Sequence, residues 1–295
     1  FNICQRLLKA RSLRKTGAAK QKIRLLFLHE TAPRGQLPAY SAVAAFCRSL
    51  TMEEPGFIAR TIGFDPALSV ADRASVIDTE FDASRDKDVE VLYSSAGRKV
   101  RRIREIVREN NSDEFARDAI TDSDTVNNNN ASIHNNVLNI RPGGCYVISG
   151  GLGSLGKLVA RYLASLASVN IILLSRSSPN AGDYQFIAEL EGQGSRVLHC
   201  IADIGERESL AAAFDVISKK FPVINGVIHS AGTTQDSLLL RKSYSSFQAV
   251  INPKVQGSIN LYQATQQQAL DFFIFFSSIS SVLGNLGQTD YAFAN

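Results

Sequence analysis

The chain has 295 residues, 44% of them hydrophobic, and its 32 Lys and Arg against 28 Asp and Glu leave a formal net charge of +4. That is enough apolar material for one large packed domain or two smaller ones. No run of about 18 apolar residues is present to span a bilayer. The four cysteines, Cys4, Cys47, Cys145 and Cys200, lack the spacing of a zinc site or a disulfide framework, so the expectation is a cytoplasmic protein with free thiols, no metal and no membrane association.

In chain order, Arg6, Lys9, Arg11, Arg14, Lys15, Lys20, Lys22 and Arg24 all precede the first acid, Glu30. A transit peptide or a nucleic-acid patch can have this composition. No aromatic residues interleave with the basic ones, so nucleic acid is not an expected partner, and the stretch reads as a solvated helix face. Then come a strand at 23–28, a helix at 40–50, a strand at 57–64, a helix at 71–81, and a strand at 89–93 paired with one at 99–106. Residues 1–122 thus form an α/β unit, but one without a GxGxxG sequence, so it cannot bind a dinucleotide in the usual way. The polar stretch 121–136, with asparagine at 127–130, cannot bury a core and sets a linker over 123–140.

From 141 to 295 strands and helices alternate. Strands are predicted at 145–149, 170–175, 196–201, 226–229 and 272–276, and helices at 155–167, 183–193, 206–220 and 253–268. This order implies a doubly wound, Rossmann-like parallel sheet covered on both faces. Such a unit would continue past Asn295, and the chain begins with Phe1, so a piece of a longer protein is expected.

After the first of these strands, Ser149-Gly150 leads into Gly151-Leu152-Gly153-Ser154-Leu155-Gly156. This is GxGxxG between a strand and a helix, the context in which the glycines allow a tight turn and the helix N-terminus faces a pyrophosphate. At the end of the second strand an NAD enzyme would offer Asp or Glu to the ribose. Here stand Ser175, Arg176, Ser177 and Ser178, and the guanidinium of Arg176 with the hydroxyl of Ser177 suits a 2′-phosphate, which points to NADPH.

Farther on, Lys254 follows Asn252-Pro253, Ser278 follows Phe276-Ser277, and Tyr291 and Asn295 lie in Gln288-Thr289-Asp290-Tyr291-Ala292-Phe293-Ala294-Asn295. In ordinary short-chain dehydrogenases the lysine follows the tyrosine by four residues, on the same helix face. Here Asn295 holds that position and the lysine lies upstream. With this exchange the chain resembles the ketoreductase domain of modular polyketide synthases, a branch of the short-chain dehydrogenase/reductase superfamily. The likeness is strong over the C-terminal half. It extends to the N-terminal half through Pro38-Ala39-Tyr40-Ser41 and Gly97-Arg98-Lys99-Val100-Arg101-Arg102, where the family has a structural subdomain with a degenerate dinucleotide fold.

The resemblance implies reduction of a β-keto group on an acyl-carrier-protein-bound polyketide thioester by NADPH, with further polyketide synthase domains as neighbours. Tyr291 would donate the proton, Ser278 would hold the carbonyl oxygen, Lys254 would lower the phenol's pKa and support the cofactor ribose, and Asn295 would fix the lysine or a relay water. Asp203, followed by Ile204, matches the position that meets adenine. Ser230, Ala231 and Gly232 match the segment under the nicotinamide ribose, with His229 structural. Asp236 matches the marker of a D-configured alcohol (B-type), and Leu283 stands where the opposite class has tryptophan. A free-standing ketone reductase and a non-reducing scaffold or epimerising domain are the alternatives.

Overall fold

The computed structural model describes residues 1–13, 22–31, 38–81, 87–103 and 140–295. The expected linker at 123–140 lies almost wholly outside the described residues. Among them no helix is long and apolar enough to cross a membrane, and all four cysteines are buried and unpaired.

The N-terminal half runs α1 (Asn2–Leu13), β1 (Ile23–Glu30), α2 (Pro38–Glu53), β2 (Phe57–Phe64), α3 (Val70–Glu80), β3 (Glu90–Ser94) and β4 (Gly97–Val100). Its strands lie in the order β1-β2-β3-β4. The first three are parallel, and β4 returns antiparallel to β3. Every residue of β2 is buried, including Arg60, which is 1% exposed. A buried guanidinium requires charged partners. Arg60 pairs with Glu80 and donates to the Asp88 carbonyl, while Arg98 bridges Glu80 and Asp88 at 2.7 Å each. The strand predicted at 99–106 ends at Val100, and residues 104–106 lie outside the described ones.

The C-terminal half runs β5 (Cys145–Ser149), α4 (Ser154–Leu166), β6 (Asn170–Ser175), α5 (Ala181–Gly192), β7 (Arg196–Ile201), α6 (Arg207–Lys220), β8 (Gly226–His229), α7 (Tyr244–Thr265), β9 (Phe272–Phe275), α8 (Ser280–Leu283) and α9 (Thr289–Ala294). The order is β7-β6-β5-β8-β9, with every described pairing parallel. Alternation of side chains along a strand divides the core in two. Cys145, Val147, Ile172 and Leu174 pack with α6 residues such as Leu210 and Ile217. Tyr146, Ile148, Ile171 and Leu173 pack with Leu163 of α4 and Phe186 of α5.

One helix boundary corrects the sequence reading. Pro253 was expected to open its helix, the position where a missing N–H does least harm. Instead α7 starts at Tyr244, capped by Ser243, whose side chain accepts the Ser246 N–H, and Pro253 is internal. An interior proline costs about 3 kcal/mol. The extra turns bury Phe247 and Val250, each worth roughly 1.5–3 kcal/mol, and that offsets the cost.

The two halves share a third core. Cys4, Leu8, Phe46, Leu50 and Phe57 pack with Leu239, Phe247 and Phe293. The N-terminal half is thereby packed against α9, the helix that carries Tyr291.

Candidate active site

Strand order determines where a ligand can enter. From β5 the chain moves outward to β6 and β7, then returns to β8 on the other side of β5. The chain after β5 therefore leads to α4 on one face of the sheet and the chain after β8 to α7 on the other, which opens a crevice at the carboxyl ends of the strands. Gly150 to Gly156 follow β5, and His229 to Gly232 end and follow β8.

Gly150 has φ +68°, and a Cβ there would stand 2.8 Å from the Ala231 Cα. A side chain is excluded both by the backbone conformation and by the approach of the second loop. The loops are stitched together: Ser230 Oγ donates to the Ser149 carbonyl at 2.6 Å and the Ala231 N–H reaches Ser149 Oγ at 3.4 Å. Helix α4 opens at Gly153 with no side-chain cap, leaving its first-turn N–H groups, which have no intrahelical partner, to a ligand or water. Ser154 and Leu155 are exposed there, and Leu152 is half-buried.

At the end of β6, Ser175 Oγ donates to the Ser177 carbonyl and contacts His199 Nε2, both at 2.7 Å. Arg176 and Ser177 are exposed. Asp203 caps the turn before α6, its Oδ1 accepting the Gly205 N–H at 2.9 Å. Ile204 is buried beside it.

Lys254 is buried and donates to the Phe276 carbonyl at 2.6 Å, and burial lowers its pKa. Gly232 makes room for it, since a Cβ there would stand 2.7 Å from Lys254 Cε. Lys254 in turn depresses His229. Burial first, then this neighbouring charge, hold the imidazole down at about 4, a neutral ring bonded through Nδ1 to Ser149 Oγ at 2.6 Å.

Ser278 follows β9, and its Oγ accepts the Ser280 N–H at 3.2 Å. Tyr291 lies in α9, which packs on α7. The Asn295 amide donates to the Tyr291 carbonyl at 2.8 Å, while its Oδ1 is buried without a partner. Of the two roles expected for Asn295, holding Lys254 or holding a relay water, the first has no direct bond among the described residues, where the lysine donates to the Phe276 carbonyl. Asp236 is exposed and accepts Gln288 Nε2 at 2.9 Å. Leu283 closes α8, exposed. Gln288, Lys242 and Asp290 are site neighbours that the sequence reading missed. The Lys242–Asp290 and Gln288–Asp236 contacts span 48 and 52 residues, and no local pattern marks such a pairing.

A reversing parallel sheet has a glycine turn at the reversal. The segment after β9, Phe276 to Ser278, receives Lys254 and, through Ser277 Oγ donating to the Asn295 carbonyl at 2.9 Å, the end of the Tyr291 helix. This is the architecture of a Rossmann-type oxidoreductase. A model of the KR domain matches residues 144–295, and the chain belongs to this family, the ketoreductase domains of polyketide synthases, which use NAD(P)H. The polyketide synthase PksN of Bacillus subtilis is 41% identical over 156 residues, 52% of this chain and 3% of that protein. The 6-hydroxymellein synthase cdmE of Talaromyces verruculosus is 40% identical over 151 residues, 51% of this chain and 6% of that protein. The chain spans only a few per cent of the length of these relatives. Among solved structures, a ketoreductase domain from the bacillaene assembly line has a TM-score of 0.77 at 25% identity, covering 100% of this chain and 62% of that one. An N-terminal ketoreductase from the macrolactin assembly line has 0.72 at 31%, covering 93% and 50%.

Proposed function

We propose that this domain reduces the β-keto group of a polyketide thioester carried on an acyl carrier protein, within a multidomain synthase, using NADPH and giving the D-configured alcohol. The observation that carries the reading is the convergence of the glycine loop with Lys254, Ser278 and Tyr291 at one edge of one sheet. NADPH supplies the hydride when bound. The residues present fit it: the glycine turn excludes side chains where the pyrophosphate would lie, and no carboxylate stands at the end of β6 to repel a 2′-phosphate. Arg176 and Ser177 would hold that phosphate, Asp203 the adenine, and Ser230 to Gly232 with Lys254 the nicotinamide ribose.

Hydride arrival builds negative charge on the substrate oxygen, which donors must meet. Tyr291 gives that oxygen its phenolic proton. Ser278 accepts the Ser280 N–H, so its own hydroxyl hydrogen remains free to donate to the same oxygen. Lys254 uses one ammonium hydrogen on the Phe276 carbonyl and has two for the ribose and a relay water, while its charge favours the phenolate. Asn295, through its bond to the Tyr291 carbonyl, steadies the turn that bears the phenol. Asp236 supports the D configuration, and so does Leu283 where the opposite class has tryptophan.

The test is NADPH oxidation with a carrier-bound β-ketoacyl thioester and with its free analogue, resolving the alcohol. Preference for the carrier-bound substrate and a D-alcohol supports the reading. An L-alcohol removes the Asp236 assignment. NADPH binding with no turnover, accompanied by solvent exchange at the α-carbon, replaces reduction with epimerisation.

A further inference from the structure

Lys242 and Asp290 form an ion pair at 2.7 Å with side chains 0% and 1% exposed. Lys242 Nζ also donates to the Gln235 carbonyl at 2.6 Å, and Asp290 Oδ1 accepts the Tyr291 N–H at 2.9 Å. One end of the pair is thus fixed in the loop that carries Asp236, and the other adjoins Tyr291.

The same two segments are joined twice more. The Ser237 N–H donates to the Gly287 carbonyl at 3.0 Å, and Gln288 holds the Asp236 carboxylate at 2.9 Å. The N-terminal half fixes the loop from behind. Gln5 donates to the Leu239 and Lys242 carbonyls at 3.1 and 2.8 Å, and Glu53 accepts the Leu239 N–H at 2.6 Å.

A buried ion pair is seldom more stabilising than an apolar pair of the same size, so burial alone does not explain its presence. What it adds is direction. An apolar pair can slide, whereas an ammonium held by a carboxylate and a carbonyl permits one register between loop and helix. From this geometry we infer that Lys242 and Asp290 are positioning residues: they set the Tyr291 phenol relative to the Asp236 loop, and so govern both the rate of protonation and the configuration of the alcohol. The inference rests on the reductase reading above.

The experiment compares the parent protein with Lys242→Met, with the apolar replacement Lys242→Met/Asp290→Leu, and with Asp290→Asn, which keeps an acceptor for the Tyr291 N–H but removes the charge. Thermal unfolding, kcat, KM for NADPH and alcohol configuration are read on each. Lys242→Met leaves a carboxylate buried alone and is expected to unfold at lower temperature. The double variant is expected to unfold near the parent temperature with KM for NADPH unchanged, since the glycine loop is untouched. Its kcat should fall on the order of tenfold to a hundredfold, the effect of a displaced reacting group, and its minor alcohol should rise about tenfold.

A double variant as stable as the parent, with parental kcat and parental alcohol ratio, overturns the inference and leaves the pair a packing element. Should the double variant fail to fold, Asp290→Asn decides on the same two readouts: a lower kcat with more of the minor alcohol supports the inference, and parental values overturn it. A parent inactive on every ketone overturns the reductase reading and this inference with it. An active parent with unmoved variants overturns this inference alone.

Discussion

The two sheets of this chain use the same alternation of strand and helix to different ends. In the N-terminal sheet each crossover steps the same way, β1 to β2 to β3, so the order of the described strands has no reversal between parallel neighbours. In the C-terminal sheet the order reverses at β5, and the reversal opens the crevice where the glycine turn lies. Their interiors differ too. The N-terminal half buries a network of Arg60, Glu80, Asp88 and Arg98, whereas the two cores flanking β5 are built of aliphatic, aromatic and cysteine side chains. A dinucleotide crevice therefore follows from strand order with glycine at the reversal. The N-terminal sheet, whose order does not reverse, is packed against its neighbour through the core that Phe46, Leu50 and Phe57 share with Leu239, Phe247 and Phe293.

The largest expected effect lies at the crevice. Tyr291→Phe removes the proposed proton donor and should lower kcat by about 10² to 10⁴, the range for a well-placed general acid. The phenol has no described hydrogen bond to lose, so urea unfolding should move little. A variant with near-parental kcat would transfer the proton donor's role to another group.

The next effect breaks the opposite half. Glu80 accepts from Arg60, from Arg98 at 2.7 Å and from the Tyr93 hydroxyl at 2.6 Å. Glu80→Gln removes the carboxylate from a buried ion pair, and should cost about 3–5 kcal/mol in denaturant unfolding. At temperatures where the variant stays folded, kcat should be near parental, because none of the network's described bonds reaches a crevice residue. A large loss of kcat without a loss of stability would contradict the division of labour between the sheets.

A third test uses His229, a crevice-side group that is buried and titratable yet neutral. His229 is 1% exposed with its pKa near 4, against about 6.5 in an unfolded chain. Between those values the unfolded chain binds a proton that the folded chain refuses. Above pH ~6.5 the ring is neutral in both states and stability is at its full value; as the pH falls stability is lost, the loss reaching about 3 kcal/mol near pH 4. His229→Gln should flatten the fall in stability between pH 7 and pH 4 by that amount. Equal slopes in parent and variant would remove the assignment.

How much of this was legible before the structure divides along the same line. Strands β5 to β8 were readable to the residue, because a buried parallel strand is a short apolar run bounded by turn residues, and GxGxxG after such a run leaves few alternatives. Pro253 misled because proline is a start signal far more often than an interior residue, and only the burial of Phe247 and Val250 overrides it. Lys242 sits among Arg241, Ser243 and Ser245 and reads as solvated surface, although it is fully enclosed. Its partner is 48 residues away, and a pairing at that distance leaves no periodicity. Strand order, which separates the two sheets, is likewise absent from the one-dimensional pattern.

The smallest effect concerns the edge of the crevice. Arg176 is exposed at the end of β6, so its charge acts through solvent until a phosphate approaches, and its loss should leave stability unchanged. A charge-assisted bond to a 2′-phosphate is worth about 1.5–3 kcal/mol. Arg176→Ala should therefore raise KM for NADPH roughly tenfold to a hundredfold while leaving KM for NADH and kcat unmoved, since NADH has no phosphate at that position. Equal rises for both cofactors would mean that Arg176 supports the loop and not the phosphate. The hydrogen bonds from Ser175 to Ser177 and His199 would then be what shapes this edge. The crevice would still exist, because strand order makes it, but its choice between the two cofactors would have to come from residues other than the basic end of β6.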